Sequence, residues 1–323
     1  MSRKSLIWVI MACLLVANIG VSGASNNFPS KPISLIVPFA AGGGTDAVAR
    51  ALAKSAESFL GQPVTIVNVT GAGGAMGMTQ GLHAAPDGYT ILMGAVEITM
   101  HPLMGNVQWK PSDFTPIIGV NSDAAAVTVR ADSPYKTLEE FIAAAKKNPG
   151  KLMVGGSGSG AIWHMACLEL QRKTKTKLTF IPFPGGATPA ITDLLGGHLD
   201  AVSVSAAEVS QYVQAGKLRI LAVMAPKRLK AFPDVPTTEE KGYATDISTW
   251  RALVAPTKTP SKIVKVLHDK FKAAMEDPKF ISFMEKGGYG IGYMSSNELG
   301  KFMNEQGKTF KPLLKEVNLL KEK

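Results

Sequence analysis

The stretch Ile36–Ala53, IVPFAAGGGTDAVARALA, decides the fold. A short apolar run stops at Pro38, three glycines follow at 42–44, and from Thr45 the apolar positions fall at helical spacing. Val48, Ala49, Leu52, Ala56, Phe59 and Leu60 line one face, which predicts a helix over 45–60. Thr45 or Asp46 is the expected N-cap. Gly61-Gln62-Pro63 stops the helix. Strand, glycine-rich turn, helix is an arrangement that aims backbone N–H groups at an anion. A tight turn that needs positive φ accounts for the same glycines without any ligand.

Outward from this unit the grammar repeats. Ile33–Pro38 and Val64–Val69 read as strands, GAGGAMG (Gly71–Gly77) as a second glycine turn opening a helix, and Tyr89–Met93 as a third strand. That β-α-β-α-β pattern predicts a parallel, doubly wound sheet, which binds ligands at the carboxyl ends of its strands. Phe114–Val120 and Ala124–Arg130 read as two further strands, followed by a helix from Thr137 to Lys147. Then come Leu152–Gly155, the turn GSGSG (Gly156–Gly160) and a helix over 161–171. Thr179–Pro182, the turn FPGGA (Phe183–Ala187) and a helix over 189–195 follow. Leu199–Ser205, a helix over 207–215 and Leu218–Met224 complete this second block. One strand (Arg251–Ala255) and two long helices, 261–276 and 298–320, close the chain. Two α/β domains with their glycine turns facing across a cleft are therefore expected.

The N-terminus carries Arg3 and Lys4, an apolar stretch from Leu6 to Ala17, and Ser22-Gly23-Ala24 before Ser25. This is the layout of an export signal cleaved after Ala24. The apolar run is short for a membrane span, and Cys13 lies in a weak lipoprotein-like box. Without Arg3 and Lys4 the net charge of +10 falls to +8. The lysines are scattered, so a solvated basic surface with a mild pull on anions is the reading, not nucleic-acid binding.

Chemistry-bearing motifs are sparse. GGGTD has no phosphate-loop lysine and no G-x-G-x-x-G spacing. Ser157 and Ser159 with His164 do not form a G-x-S-x-G elbow, so a serine hydrolase is a minor alternative. His83, His101, His164, His198 and His268 lack metal-ligand spacing; no metal and no cofactor is expected. His101 and His164 lie near candidate ligand turns. Cys167, within HMACLEL on an apolar helical face, reads as a buried structural thiol.

Taken together, PFAAGGGTD (38–46), N-x-x-GAGG (68–74), APDGYT (85–90), SPYKTLEEFIAAAKKNPGKL (133–152), GSGSG with His164, TDLLGGHLDA through AGKLRILAV (192–223) and FPDVPTTEEKGY (232–243) resemble the Bug family. These are TctC-like solute-binding receptors of tripartite tricarboxylate transporters, and the resemblance spans the chain from Phe28 onward. It implies a type II periplasmic-binding-protein fold: a 1–24 signal peptide, a discontinuous domain of 25–122 with 250–323, and a second domain of 123–249. It implies a non-enzymatic, monomeric periplasmic receptor that closes on a small carboxylate and hands it to membrane permease subunits. A sensory receptor for an organic acid is the alternative. Carried over by position, Phe39, Ala40, Gly43, Gly44, Thr45 and Asp46 form one wall of the ligand site. Ser157, Gly158, Ser159, Gly160 and His164 form the other. Asn68, Gly71 and Ala72 line the floor beside Gly94 and Ala95, and Pro184, Gly185, Gly186 and Ala187 approach from the second domain, with Ser205 nearby. Trp163 departs from the family pattern: it either stacks on an aromatic or bulky ligand or packs its helix against the sheet.

Overall fold

The computed structural model describes residues 28–321; the expected signal peptide and Cys13 lie outside the described residues. The first half of the molecule is built from β1 (Ile33–Val37), α1 (Gly44–Leu60), β2 (Val64–Asn68), α2 (Ala75–Leu82), β3 (Thr90–Ala95) and α3 (Glu97–Met104). A long β4 (Phe114–Arg130) leads out of it. The second half follows as α4 (Leu138–Lys147), β5 (Met153–Ser157), α5 (Ile162–Thr174), β6 (Thr179–Phe183), α6 (Ala187–Leu195), β7 (Ala201–Ser205), α7 (Ala206–Gln214) and β8 (Leu218–Val223). The chain returns on β9 (Ser248–Pro256) and ends with α8 (Ser261–Met275), α9 (Pro278–Gly287), β10 (Ile291–Met294) and α10 (Ser296–Glu316).

The strand order is β2-β1-β3-β9-β4-β7-β5-β6, with β8 and β10 also pairing to β4. β1, β2 and β3 are mutually parallel, as are β5, β6 and β7. β9 runs antiparallel to β3 and to β4, and β7 runs antiparallel to β4. Direction along β4 then settles where the strands point. β1–β3 run with β4, towards the second half; β5–β7 run against it, towards the first. Both parallel sets aim their carboxyl ends at one seam. Ala95, ending β3, is level with Arg251 and through it with Asn121 on β4. Ser205, ending β7, is level with Ala125. Four residues of β4 separate those rows, roughly 13 Å at strand rise.

The helices form as their sequences dictate. α1 buries Val48, Ala49, Leu52, Ala53 and Ala56 against Ile33, Leu35 and Val37 of β1 and Phe271 of α8. Burying each large apolar side chain of that set contributes about 1.5–3 kcal/mol. A second core, under α4–α7, includes Phe141, Trp163, Ile191 and Val202, and α10 adds Leu299, Met303 and Phe310 to it. α7 begins with Ser205 and α10 with Ser295; each hydroxyl accepts from the N3 amide while the N3 glutamate reaches back, a capping box.

Four sequence expectations need correction. The two strands expected over 114–120 and 124–130 are one continuous β4, because β9 pairs the residues between them. The terminal region holds α9 and β10 in addition to the two long helices. The helix α3, with Glu97 and His101, fills a segment that had no assignment; its polar residues Glu97, Thr99 and His101 alternate with apolar ones and are themselves buried, so no amphipathic period marks it. The cap of α1 is Gly43, two residues before Thr45 and three before Asp46, and it has no side-chain hydrogen bond.

Candidate functional site

The bend after β1 is braced from behind. Gly42 has φ +80°, and its N–H donates to Asp46 Oδ2 at 2.9 Å. Asn68 Nδ2 donates to Asp46 Oδ1 (2.9 Å) and to the Phe39 carbonyl (3.0 Å), and Arg50 Nε donates to Asp46 Oδ2 (2.8 Å). Burial alone pushes the Asp46 carboxyl up, but Arg50, the Gly42 amide and Asn68 together outweigh it and hold the group below its ordinary value. Asp46 and Asn68 thus spend their polar atoms on shaping the turn. Thr45 is also engaged: its hydroxyl accepts from Arg251 Nε at 2.9 Å.

The second bend, 71–74, has positive φ at Gly71, Ala72, Gly73 and Gly74. The Gly73 carbonyl meets His101 Nε2 at 3.0 Å, and Asn106 Nδ2 lies 3.3 Å from His101 Nδ1. With the amide donating to Nδ1, the imidazole carries its proton on Nε2. Burial holds the His101 pKa below the ordinary value, against the pull of the bond to the Gly73 carbonyl. Gly94 and Ala95 are buried at the end of β3, with Gly94 backed by Ile98.

From the other half, Gly158 comes so close that an added Cβ would sit 3.5 Å from Gly73 Cα and 3.6 Å from Pro184 Cα. Ala40 N–H donates to the Gly185 carbonyl at 3.3 Å, and Phe39 is wedged between Gly74 and Gly186. Gly43 faces Thr188, and Gly160 packs on Met104 of α3. Bends from both sheets therefore touch across the seam, with Ala187 buried at the start of α6.

The remaining expected residues divide. Ser157 is buried and its hydroxyl accepts from the Trp163 amide at 3.2 Å; Ser159 is exposed. His164 Nδ1 accepts from the Gly160 amide at 3.0 Å, its ring stacks on Phe180 at 4.3 Å, and burial lowers its pKa to about 4. That arrangement gives neither serine a base. Trp163 is 4 % exposed and sits against Gly156, so it packs α5 onto the sheet. Ser205 is fully buried as the α7 cap and positions Glu208.

Four charged residues at the seam escaped the sequence reading. Arg251 on β9 is 2 % exposed, ion-paired to Asp123 of β4 and 4.0 Å from Glu208 Oε1. Burial works against the Arg251 charge, yet the two carboxylates raise its pKa overall, while burial raises that of Glu208. Glu208 Oε1 also accepts from the Gly44 amide at 3.3 Å, linking α7 to α1. Gly44 must be glycine for this: an added Cβ would lie 2.7 Å from Arg251 Nη2 and 2.8 Å from Glu208 Cγ. Glu97, 2 % exposed, accepts from the Ile162 amide at the start of α5 at 3.3 Å. Burial pushes its carboxyl up to about 7, against the pull of its own backbone amide, the Ile162 amide and Arg251. The available signal was a lone charge inside an apolar run: GAVEITM for Glu97 and TWRALVA for Arg251.

Among the described residues no group of three or more His, Cys, Asp or Glu side chains is placed to hold a metal ion, and no helix is long and apolar enough to cross a membrane. A groove of about 1490 Å³ lies outside the seam along α2, lined by Met76, Thr79 and Trp109, and shares only Ala72 with the expected site.

Comparison with known proteins gives the relationship. The family described as tripartite tricarboxylate transporter family receptor, TctC, matches residues 48–319. A UPF0065 protein encoded in the gbd 5′ region of Cupriavidus necator is 37 % identical over 96 % of this chain and 94 % of its own. BugT of Bordetella pertussis is 32 % identical over 85 % of this chain and 86 % of its own. Among solved structures, a ligand-free TctC solute-binding protein from Polaromonas is 40 % identical with a TM-score of 0.67, covering 90 % of this chain and 99 % of that one. MatC of Rhodopseudomonas palustris with bound malate is 28 % identical at TM-score 0.82, covering 89 % and 100 %. An R. palustris protein with adipate is 25 % identical at TM-score 0.86, covering 90 % and 98 %. The seam of opposed glycine bends thus sits in a type II periplasmic-binding-protein fold, and the chain belongs to the TctC family of solute-binding receptors.

Proposed function

We propose that this protein is an extracytoplasmic receptor that closes two domains on a small carboxylate and delivers it to the permease subunits of a tripartite tricarboxylate-type transporter. The observation that carries the reading is the meeting of the β1, GAGG, GSGSG and FPGGA bends at one seam, backbone to backbone, as in the Ala40–Gly185 bond. Amide donors at such bends suit a carboxylate, each charge-assisted bond being worth about 1.5–3 kcal/mol. The malate- and adipate-bound relatives support a carboxylate as cargo.

Three relatives whose ligand state is known bear on the state of this structure. The ligand-free relative at 40 % identity superposes less well (0.67) than the liganded ones at 28 % and 25 % (0.82 and 0.86). This supports reading the present arrangement as the closed one. We place the hinge at residues 121–126 and 246–252, where β4 and β9 cross the seam, which gives domains of 25–122 with 250–323 and of 123–249. The export-type leader supports a periplasmic location for the mature chain.

A thermal-shift screen over mono-, di- and aromatic carboxylates tests the reading. Ligand at a hundred times its Kd adds about 2.7 kcal/mol to stability, because only the folded protein binds. At least one compound is expected to raise the melting temperature and to shrink the radius of gyration in solution scattering. No shift with any carboxylate removes the proposal.

A further inference from the structure

The buried charge at the seam does not balance. Apart from the Asp46–Arg50 pair behind the first bend, the seam's buried charges among the described residues are one guanidinium, Arg251, and three carboxyls: Asp123 at 4 %, Glu97 at 2 % and the Glu208 side chain at 7 % exposed. Arg251 is fully engaged by Asp123, Thr45 and Asn121, with Glu208 at 4.0 Å. Glu208 is further satisfied by Ser205 and by the Gly44 amide. Glu97 is not: one oxygen takes the Ile162 amide, and Oε2 is buried with no hydrogen-bond partner. The nearby imidazoles bring no cation, since His101 is spent on Gly73 and Asn106, and His164 on the Gly160 amide. α5, thirteen residues long, has no side-chain cap of its own, so the Glu97 carboxyl reaches across the seam to its N-terminus.

A buried carboxylate with a free oxygen is costly unless a positive donor meets it. A ligand bringing only negative charge would add to the excess; one bringing an ammonium would cancel it. The geometry points to a ligand that carries an ammonium group as well as its carboxylate, with the ammonium on Glu97 Oε2 and the carboxylate on the glycine-bend amides. Glu97 is then the residue that selects amino-carboxylates over plain diacids and hydroxy-acids. This rests on the receptor reading above and narrows its cargo.

Calorimetric titration of matched pairs tests it: aspartate against malate, 6-aminohexanoate against adipate, and the standard amino acids against their deaminated acids. In the wild-type protein the amino member of a binding pair is expected to bind at least tenfold tighter. Glu97→Gln keeps an acceptor for Ile162 and nearly the same shape, and is expected to weaken the amino ligand at least tenfold while narrowing the gap within the pair. A wild-type preference for the diacid or hydroxy-acid overturns the inference and leaves the receptor reading standing. So does an unchanged ranking in Glu97→Gln. The wild-type ranking decides alone if the variant does not fold. Absence of binding by every compound of both classes refutes the receptor reading, and this inference with it.

Discussion

Replacing Gly44 by alanine sets two opposing effects against each other. Gly44 is the first residue of α1, and alanine in a helix is ordinarily favourable; a compatible Gly→Ala change stabilises by about 0.4–1 kcal/mol. Here the new methyl would fall 2.7 Å from Arg251 Nη2, 2.8 Å from Glu208 Cγ and 3.0 Å from Glu208 Oε1. Neither neighbour is a loose side-chain end: both are buried and bonded, and Glu208 Oε1 holds the Gly44 amide. Overpacking of this kind costs about 1–3 kcal/mol. The clash wins, with a net loss of about 1–2 kcal/mol concentrated where α7 meets α1. Ligand affinity, which requires that meeting, is expected to fall about 5–30-fold, at tenfold per 1.4 kcal/mol. The assay is calorimetric titration with the compound found by the carboxylate screen, beside Gly42→Ala as control. Gly42 has φ +80° and open space around its missing Cβ, so its substitution strains the same bend without adding an atom against Arg251 or Glu208. A Gly44→Ala protein that binds as tightly as wild type and melts higher would refute the packing argument.

Two further predictions concern titration. Glu97 in the ligand-free protein keeps its proton to about pH 7, against an ordinary value of 4.5. Between those values the unfolded chain has lost a proton that the folded one retains, so this group's contribution to stability falls as pH rises from about 4.5 to 7 and is level above. Urea titrations of Glu97→Gln and wild type are expected to diverge in favour of the variant over that window, by up to about 3 kcal/mol. Asp123, His101 and His164 are common to both proteins, while Glu208, whose charge acts on Glu97, is relieved by the substitution and widens the difference in the same direction; parallel profiles would contradict the assignment. Cys167 is fully buried and its thiol is pushed up to about 12 by burial. It should resist an aromatic disulfide reagent in the native protein and react at once in denaturant; rapid native labelling would contradict its placement.

The fold was legible where each unit is local. Ile36–Leu60 displays its strand, its bend and its helix within one stretch, and the same pattern recurs at 152–171 and 179–195. α3 was not legible, because the polar residues of GAVEITMHPLM, Glu97, Thr99 and His101, recur every second position and give no helical period. Nor was the unity of β4, whose middle reads as a break until β9 lies beside it. At the site, the glycines announced the bends but not which polar groups are spent inside them. Asp46 and Asn68 look like ligand contacts by position, and only the bonds to Gly42, Arg50 and Phe39 show that they hold a turn. The cluster of Arg251, Asp123, Glu208 and Glu97 joins residues up to 154 positions apart, counting from 97 to 251. No spacing rule reaches that far; a solitary charge among apolar neighbours was the whole of its trace.

β4 and β9 bear on how the molecule comes apart. β4 serves both halves: over Phe114–Ala124 it is zipped to β9, and over Ala125–Arg130 it pairs β7 and β8. Melting either half strips hydrogen bonds from the other, so heat should take the whole chain through a single cooperative step. For the same reason, a fragment ending after Val120 would leave a raw edge and is expected to precipitate when expressed alone.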